Sequence, residues 1–199
     1  MDLIHRISQQ FEDSARCILD SLEWLAAPIA GSVEVLTGCL LNSGKILVCG
    51  NGTASLDAEM FAAKLVNRFE MERPPLTAIA LNPHLAMRGD HERDHSAGCG
   101  IFAQQVAALG HPGDVLLVLS VDGNDAGVLA AIDAAHDRDM RIIALTAGSG
   151  GLLGERLREA DIHVCVPAGR PARAQEVHRL ALHCLCDGID CLLLGVEDA

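Results

Sequence analysis

The run Gly50-Asn51-Gly52-Thr53-Ala54-Ser55 is where residue types and spacing first suggest chemistry. It follows the apolar stretch 45–49 and opens an amphipathic segment. A glycine-rich turn between strand and helix leaves backbone N–H groups unbonded, and the helix dipole favours negative charge there, so the run is a candidate anion site. It is not the dinucleotide fingerprint G-x-G-x-x-G, because Ser55 stands where the third glycine belongs. Alone it reads better as a structural tight turn; its place between strand and helix is what raises it. A separate match, His91-Glu92-Arg93-Asp94-His95, has the H-E-x-x-H form of zinc proteases. That motif works on a helix with an apolar framework, whereas here Gly89, Gly98 and Gly100 flank it and Arg88, Asp90 and Ser96 are polar. A surface loop or helix start fits it better, with incidental metal binding by His84, His91, His95 and Cys99 left open.

The elements that must position these residues are legible as alternating periods. Apolar runs at 45–49, 77–81, 114–119, 141–146 and 162–166 predict strands. Helices are expected between them at about 54–69, 98–109, 125–137 and 151–159, with a long final helix at about 171–194. Strands alternating with helices predict an α/β fold, a doubly wound five-stranded parallel sheet. Ahead of it, Leu3, Ile4, Ile7, Phe11, Ala15, Ile18, Leu22 and Leu25 mark an amphipathic helix, with Asp2 as N-cap. Pro28 suits the first turn of a second helix ending at Asn42-Ser43-Gly44, where Gly44 takes the left-handed cap. One domain is expected, with two N-terminal helices in 1–43 and the α/β core in 44–199. Doubly wound sheets bind ligands beyond the carboxyl ends of their strands, which directs attention to the loops 50–55, 82–95, 120–125 and 146–151.

Bulk properties narrow the classes. A net charge of −12, with no basic stretch, argues against direct nucleic-acid binding. The eight cysteines sit mostly in apolar runs and form no C-x-x-C pair, as expected of buried thiols in a reducing compartment. The polar start Met1-Asp2-Leu3-Ile4-His5-Arg6 predicts neither a signal peptide nor a membrane span, and a cytoplasmic location follows as the expectation.

Several stretches together resemble the sugar isomerase (SIS) domain of the phosphoheptose isomerases and of their relatives of the DnaA initiator-associating (DiaA) type. They are Cys49-Gly50-Asn51-Gly52, Leu65-Val66-Asn67-Arg68-Phe69-Glu70 with Arg73-Pro74, and His111-Pro112-Gly113-Asp114-Val115-Leu116-Leu117. Near the end come Ala174-Gln175-Glu176-Val177-His178 and His183-Cys184-Leu185-Cys186-Asp187. The resemblance implies a homotetramer with sites at subunit interfaces. It also implies sugar-phosphate contacts from Asn51, Gly52, Thr53, Ser55, Asp90, Ser120, Asp122, Asn124, Asp125 and Gln175.

The chain departs from that family where the chemistry is done. The family's first loop has a serine at the position of Ala54. Its second loop reads S-T-S-G-N-S, against Ser120-Val121-Asp122-Gly123-Asn124-Asp125 here. Hydroxyls donate to phosphate oxygens, whereas ionised carboxylates only accept. At short range each carboxylate repels a phosphate by about 1 kcal/mol even in water. Asp125 has an alternative use as a helix cap; Asp122 has none evident in the sequence. The family's zinc-binding His and its Glu become Met60 and Lys64, so two of four ligand positions are lost and no zinc cofactor is expected. Gln175 and His183 remain, two turns apart on one helix face, as a remnant metal pair or with His183 and Lys64 as acid and base; His183 satisfied inside a packed helix is the competing reading. Opposite charge changes at Lys64 and Asp122 suggest an ion pair filling the vacated pocket. Two functions follow. The leading expectation is a catalytically impaired, oligomeric binding or regulatory protein, an adaptor for a partner such as a replication initiator. The alternative is sedoheptulose 7-phosphate isomerase, or a sugar isomerase with a changed substrate.

Overall fold

A computed structural model describes residues 2–82 and 100–195. Asp90, His84, His91, His95 and Cys99 lie outside the described residues, as do the expectations placed on them. The chain opens with α1 (Leu3–Leu41) and then alternates: β1 (Ile46–Gly50), α2 (Thr53–Val66), β2 (Ala78–Ala80), α3 (Ile101–Leu109), β3 (Val115–Leu119), α4 (Ala126–His136), β4 (Arg141–Ala147), α5 (Gly151–Arg156), β5 (Ile162–Val166) and α6 (Pro171–Leu194). The five strands are all parallel, in the order β2-β1-β3-β4-β5.

Successive residues of the central strands face opposite sides, so each strand feeds two cores. Ile46, Val48, Val115, Leu117, Ile143 and Leu145 pack beneath α1, α2 and α6. Leu47, Cys49, Leu116, Val118, Ile142 and Ala144 pack beneath α3, α4 and Leu153 of α5. Burial on both faces explains why β1 and β3 read as unbroken apolar runs. Burial likewise raises the Cys49 thiol of β1 far above its usual range and the Cys186 thiol of α6 to about 12, so neither is a thiolate.

The N-terminal region corrects the sequence reading. One 39-residue helix replaces the two expected, and it passes through Pro28. Proline inside a helix costs about 3 kcal/mol. Beyond it Val33 and Leu36 are buried in the core, each contributing about 1.5–3 kcal/mol, and that burial outweighs the loss. Asp2 caps the helix as expected, accepting from the N–H of Ile4 (3.0 Å) and His5 (3.3 Å). The left-handed residue at the other end is Ser43 (φ 62°), not Gly44. Gly44 is needed for room instead, since a Cβ there would lie 2.7 Å from Cys39 Sγ and 2.9 Å from the Cys39 carbonyl oxygen. By length and composition α1 would suffice to cross a membrane; its second half is packed against the sheet and α6. Its first half leaves Leu3, Ile4, Ile7 and Phe11 exposed.

Candidate active site

Strand order reverses between β1 and β3, which bond side by side while their following helices cover opposite faces. The two expected loops therefore meet, and Asn51 Nδ2 donates to Asp125 Oδ2 across the gap (2.7 Å). Each loop is more self-satisfied than an open anion cradle. In the first, Gly52 takes φ 57°. The Ala54 N–H donates to the Asn51 carbonyl and the Ser55 N–H to that of Gly52, to which the Ser55 hydroxyl also donates (2.8 Å). In the second, Asp125 Oδ1 accepts from the Val128 N–H (2.9 Å) and caps α4, the structural role open to it from the sequence. Asp122 has a local role that the sequence did not reveal. Its Oδ1 accepts from the Asn124 N–H (3.1 Å) and lies 3.5 Å from the Ser120 hydroxyl, an Asx-type turn. Asn124 is also engaged, Nδ2 donating to the Asp122 carbonyl and Oδ1 accepting from the Leu152 N–H (2.9 and 3.1 Å).

The ion pair expected between Lys64 and Asp122 does not form. Asp122 belongs to the loop beside the start of α2, while Lys64 lies eleven residues beyond Thr53, a rise of about 16 Å along the helix. The Lys64 ammonium sits 4.7 Å from the centre of the Phe69 ring instead.

Helices α2 and α6 leave the same edge of the sheet and run alongside each other, joined by three rungs. Gln175 Nε2 donates to Thr53 Oγ1 (3.0 Å). Arg179 Nε and Nη2 both donate to Asp57 Oδ1 (3.0 and 2.6 Å). Lys64 and His183 then meet around Phe69, whose ring centre is 5.5 Å from that of His183. Beside the first two rungs is a cleft of about 350 Å³, lined by Thr53, Leu56, Asp57, Gln175, Glu176 and Arg179. Partial burial lowers the pKa of His183 below the usual imidazole value; the positive charges of Lys64 and Arg179 push the same way, against Glu70 and Asp57. The shift favours the neutral imidazole, the form able to accept a proton.

The structure thus gathers Thr53, Gln175, His183 and Lys64 on one two-helix face, and Asn51, Ser120, Asp122, Asn124 and Asp125 at the two loops. Asp57, Arg179 and Phe69 were missed. The signal for the first two was present, since Thr53 and Asp57 are four residues apart, as are Gln175, Arg179 and His183 in turn. The zinc ligation implied by the family does not fit this donor set. Lys64 presents an ammonium, Met60 a thioether, and only Gln175 and His183 remain as zinc donors. Among the described residues no group of three or more His, Cys, Asp or Glu is placed to hold a metal.

The SIS domain family matches residues 10–147. The phosphoheptose isomerase of Aromatoleum aromaticum is 63% identical over 198 residues, covering 100% of both chains, and that of an Azoarcus species is 58% identical over the same span. Among solved structures, a phosphoheptose isomerase from Francisella tularensis superimposes with a TM-score of 0.88 at 44% identity, covering 96% of this chain and 99% of that one. That from Neisseria gonorrhoeae gives 0.86 at 39% identity, covering 95% and 99%. With full-length agreement in sequence and in backbone, the chain belongs to the SIS domain family, in its phosphoheptose isomerase group.

Proposed function

We propose that this protein is an aldose–ketose isomerase of phosphorylated sugars, interconverting sedoheptulose 7-phosphate and an aldoheptose 7-phosphate. The observation that carries the reading is full-length identity of 63% to a protein named for that activity. It favours the isomerase over the regulatory adaptor. The arrangement of α2 and α6 supports it, because His183 lies beside Lys64 at Phe69, on the helix that also carries Gln175. In this reaction a base removes a proton from C1 of the ketose while the C2 carbonyl oxygen is protonated; a proton is then returned at C2 of the enediol as the O1 hydroxyl loses its proton and becomes the aldehyde carbonyl. His183 serves as that base. The phosphate is held at the junction of the two loops, near Asn51, Thr53 and Ser120, where Asp122 and Asp125 weaken rather than support its binding.

A homotetramer fits the exposed apolar side chains of α1 and α6, among them Leu19, Leu22 and Leu180. A cytoplasmic location fits the buried thiols Cys39, Cys49 and Cys186. The test is turnover of sedoheptulose 7-phosphate by the full chain beside His183→Ala. We expect measurable conversion that falls by about 10²–10⁴ in the variant, the usual contribution of a positioned base. A wild-type protein without turnover would return the regulatory reading to first place.

A further inference from the structure

The third rung between α2 and α6 is built around a fixed cation. Lys64 lies on α2 one turn beyond Met60, and Met60 is half-buried against the aliphatic core rather than turned toward a ligand. The Lys64 ammonium rests on the Phe69 face, and the His183 ring lies on that same phenylalanine. Phe69 is held in turn, because Arg73 anchors the segment after α2, donating to the carbonyls of Lys64 (2.9 Å) and Leu65 (2.8 Å). Gln175 is engaged by Thr53. A zinc ion beside His183 would meet a like charge, a thioether from which it gains little, and one free imidazole, where it normally takes four N, S or O ligands.

We infer that the Lys64 ammonium occupies the electrostatic place of a divalent metal in the Lys64–Phe69–His183 cluster, so that this site excludes zinc and works without it. Taken with the isomerase reading, on which this second half rests, the ammonium faces the oxygen on which negative charge grows as the C1 proton leaves. No oxidant or metal enters the proton balance, since the hydrogen lost from C1 is matched by one gained at C2 and the proton gained at O2 by one lost from O1.

Metal content tests this independently of turnover. Full-length protein purified without chelator would be analysed for bound metals, then titrated with zinc chloride, as wild type, His183→Ala, and Met60→His with Lys64→Glu. The expected result is no zinc binding in wild type that His183→Ala abolishes. The double variant should gain one tight zinc per chain, lost again when His183→Ala is added. A wild-type zinc that disappears in His183→Ala overturns the inference, and this arm decides alone if the double variant does not fold. A folded double variant that gains no zinc also overturns it, because Lys64 and Met60 would then not be what excludes the metal. For turnover, Lys64→Arg should retain more activity than Lys64→Met, and EDTA should leave the wild-type rate unchanged. An isomerase with a His183-dependent zinc would refute the inference and keep the isomerase; a zinc-free protein without turnover would do the reverse.

Discussion

Replacing Arg73 by methionine probes the support beneath the site. The Arg73 and Asp190 side chains are 1% and 2% exposed, with Nε and Oδ1 2.5 Å apart. Arg73 also donates to the carbonyls of Lys64 and Leu65 in the last turn of α2, where the helix leaves acceptors unsatisfied. Arg73→Met strands the Asp190 carboxylate, whose second oxygen has no hydrogen-bond partner among the described residues. Removing one partner of a buried ion pair costs about 3–5 kcal/mol. In a chain of this size each kcal/mol moves the melting temperature by about 2–4 °C, so a fall of about 6–20 °C is expected. The pair Arg73→Met with Asp190→Leu should recover most of it, because two apolar groups replace two charges. Thermal unfolding followed by circular dichroism at pH 7.5, at matched protein concentration, measures both. A single variant that melts within about 2 °C of wild type, less than the effect of one kcal/mol, would refute the reasoning. So would a double variant no more stable than the single.

Three further outcomes are expected. Asp125→Ala should cost about 1 kcal/mol in denaturant unfolding by uncapping α4, while Asp125→Ser keeps a cap and should bind sedoheptulose 7-phosphate several-fold more tightly, as judged by calorimetry. Gly123→Ala should destabilise severely, because at φ +67° a Cβ would lie 1.9 Å from the Gly150 carbonyl oxygen; soluble yield and melting temperature report it. His178 is buried and hydrogen-bonded to the Thr146 carbonyl, and burial holds its pKa below the ordinary value despite that bond and the Asp57 charge. The unfolded chain then takes up a proton that the folded chain refuses, so stability contributed by neutral His178 is complete above about pH 6.5 and is lost as pH falls below it. Melting curves from pH 8 to 5 should show a shallower decline in His178→Gln than in wild type.

How much of this was legible beforehand depends on the range over which each residue acts. The sheet was, because burying β1 and β3 on both faces demands apolar runs that no other arrangement in this chain would require. The two loops at the strand ends, the Asp2 cap and the Asp125 cap are local, set by residues two or three apart, and the sequence alone determines them. Local rules failed at Pro28, where long-range burial of Val33 and Leu36 overrides the proline penalty and fuses two expected helices into one. They failed again at Asp122, whose partners are a backbone N–H and a hydroxyl two residues away, a turn fixed by the close backbone approach of Gly123 to Gly150. The four-residue spacing of Thr53 and Asp57, and of Gln175, Arg179 and His183, marks the two helix faces in the sequence, but their pairing belongs to the tertiary structure. Lys64 and His183 are far apart in the chain, and charge patterning suggested Asp122 as the lysine's partner. Only the parallel course of the two helices and the anchoring of the Phe69 segment by Arg73 decide that the ammonium meets an aromatic ring and a histidine instead.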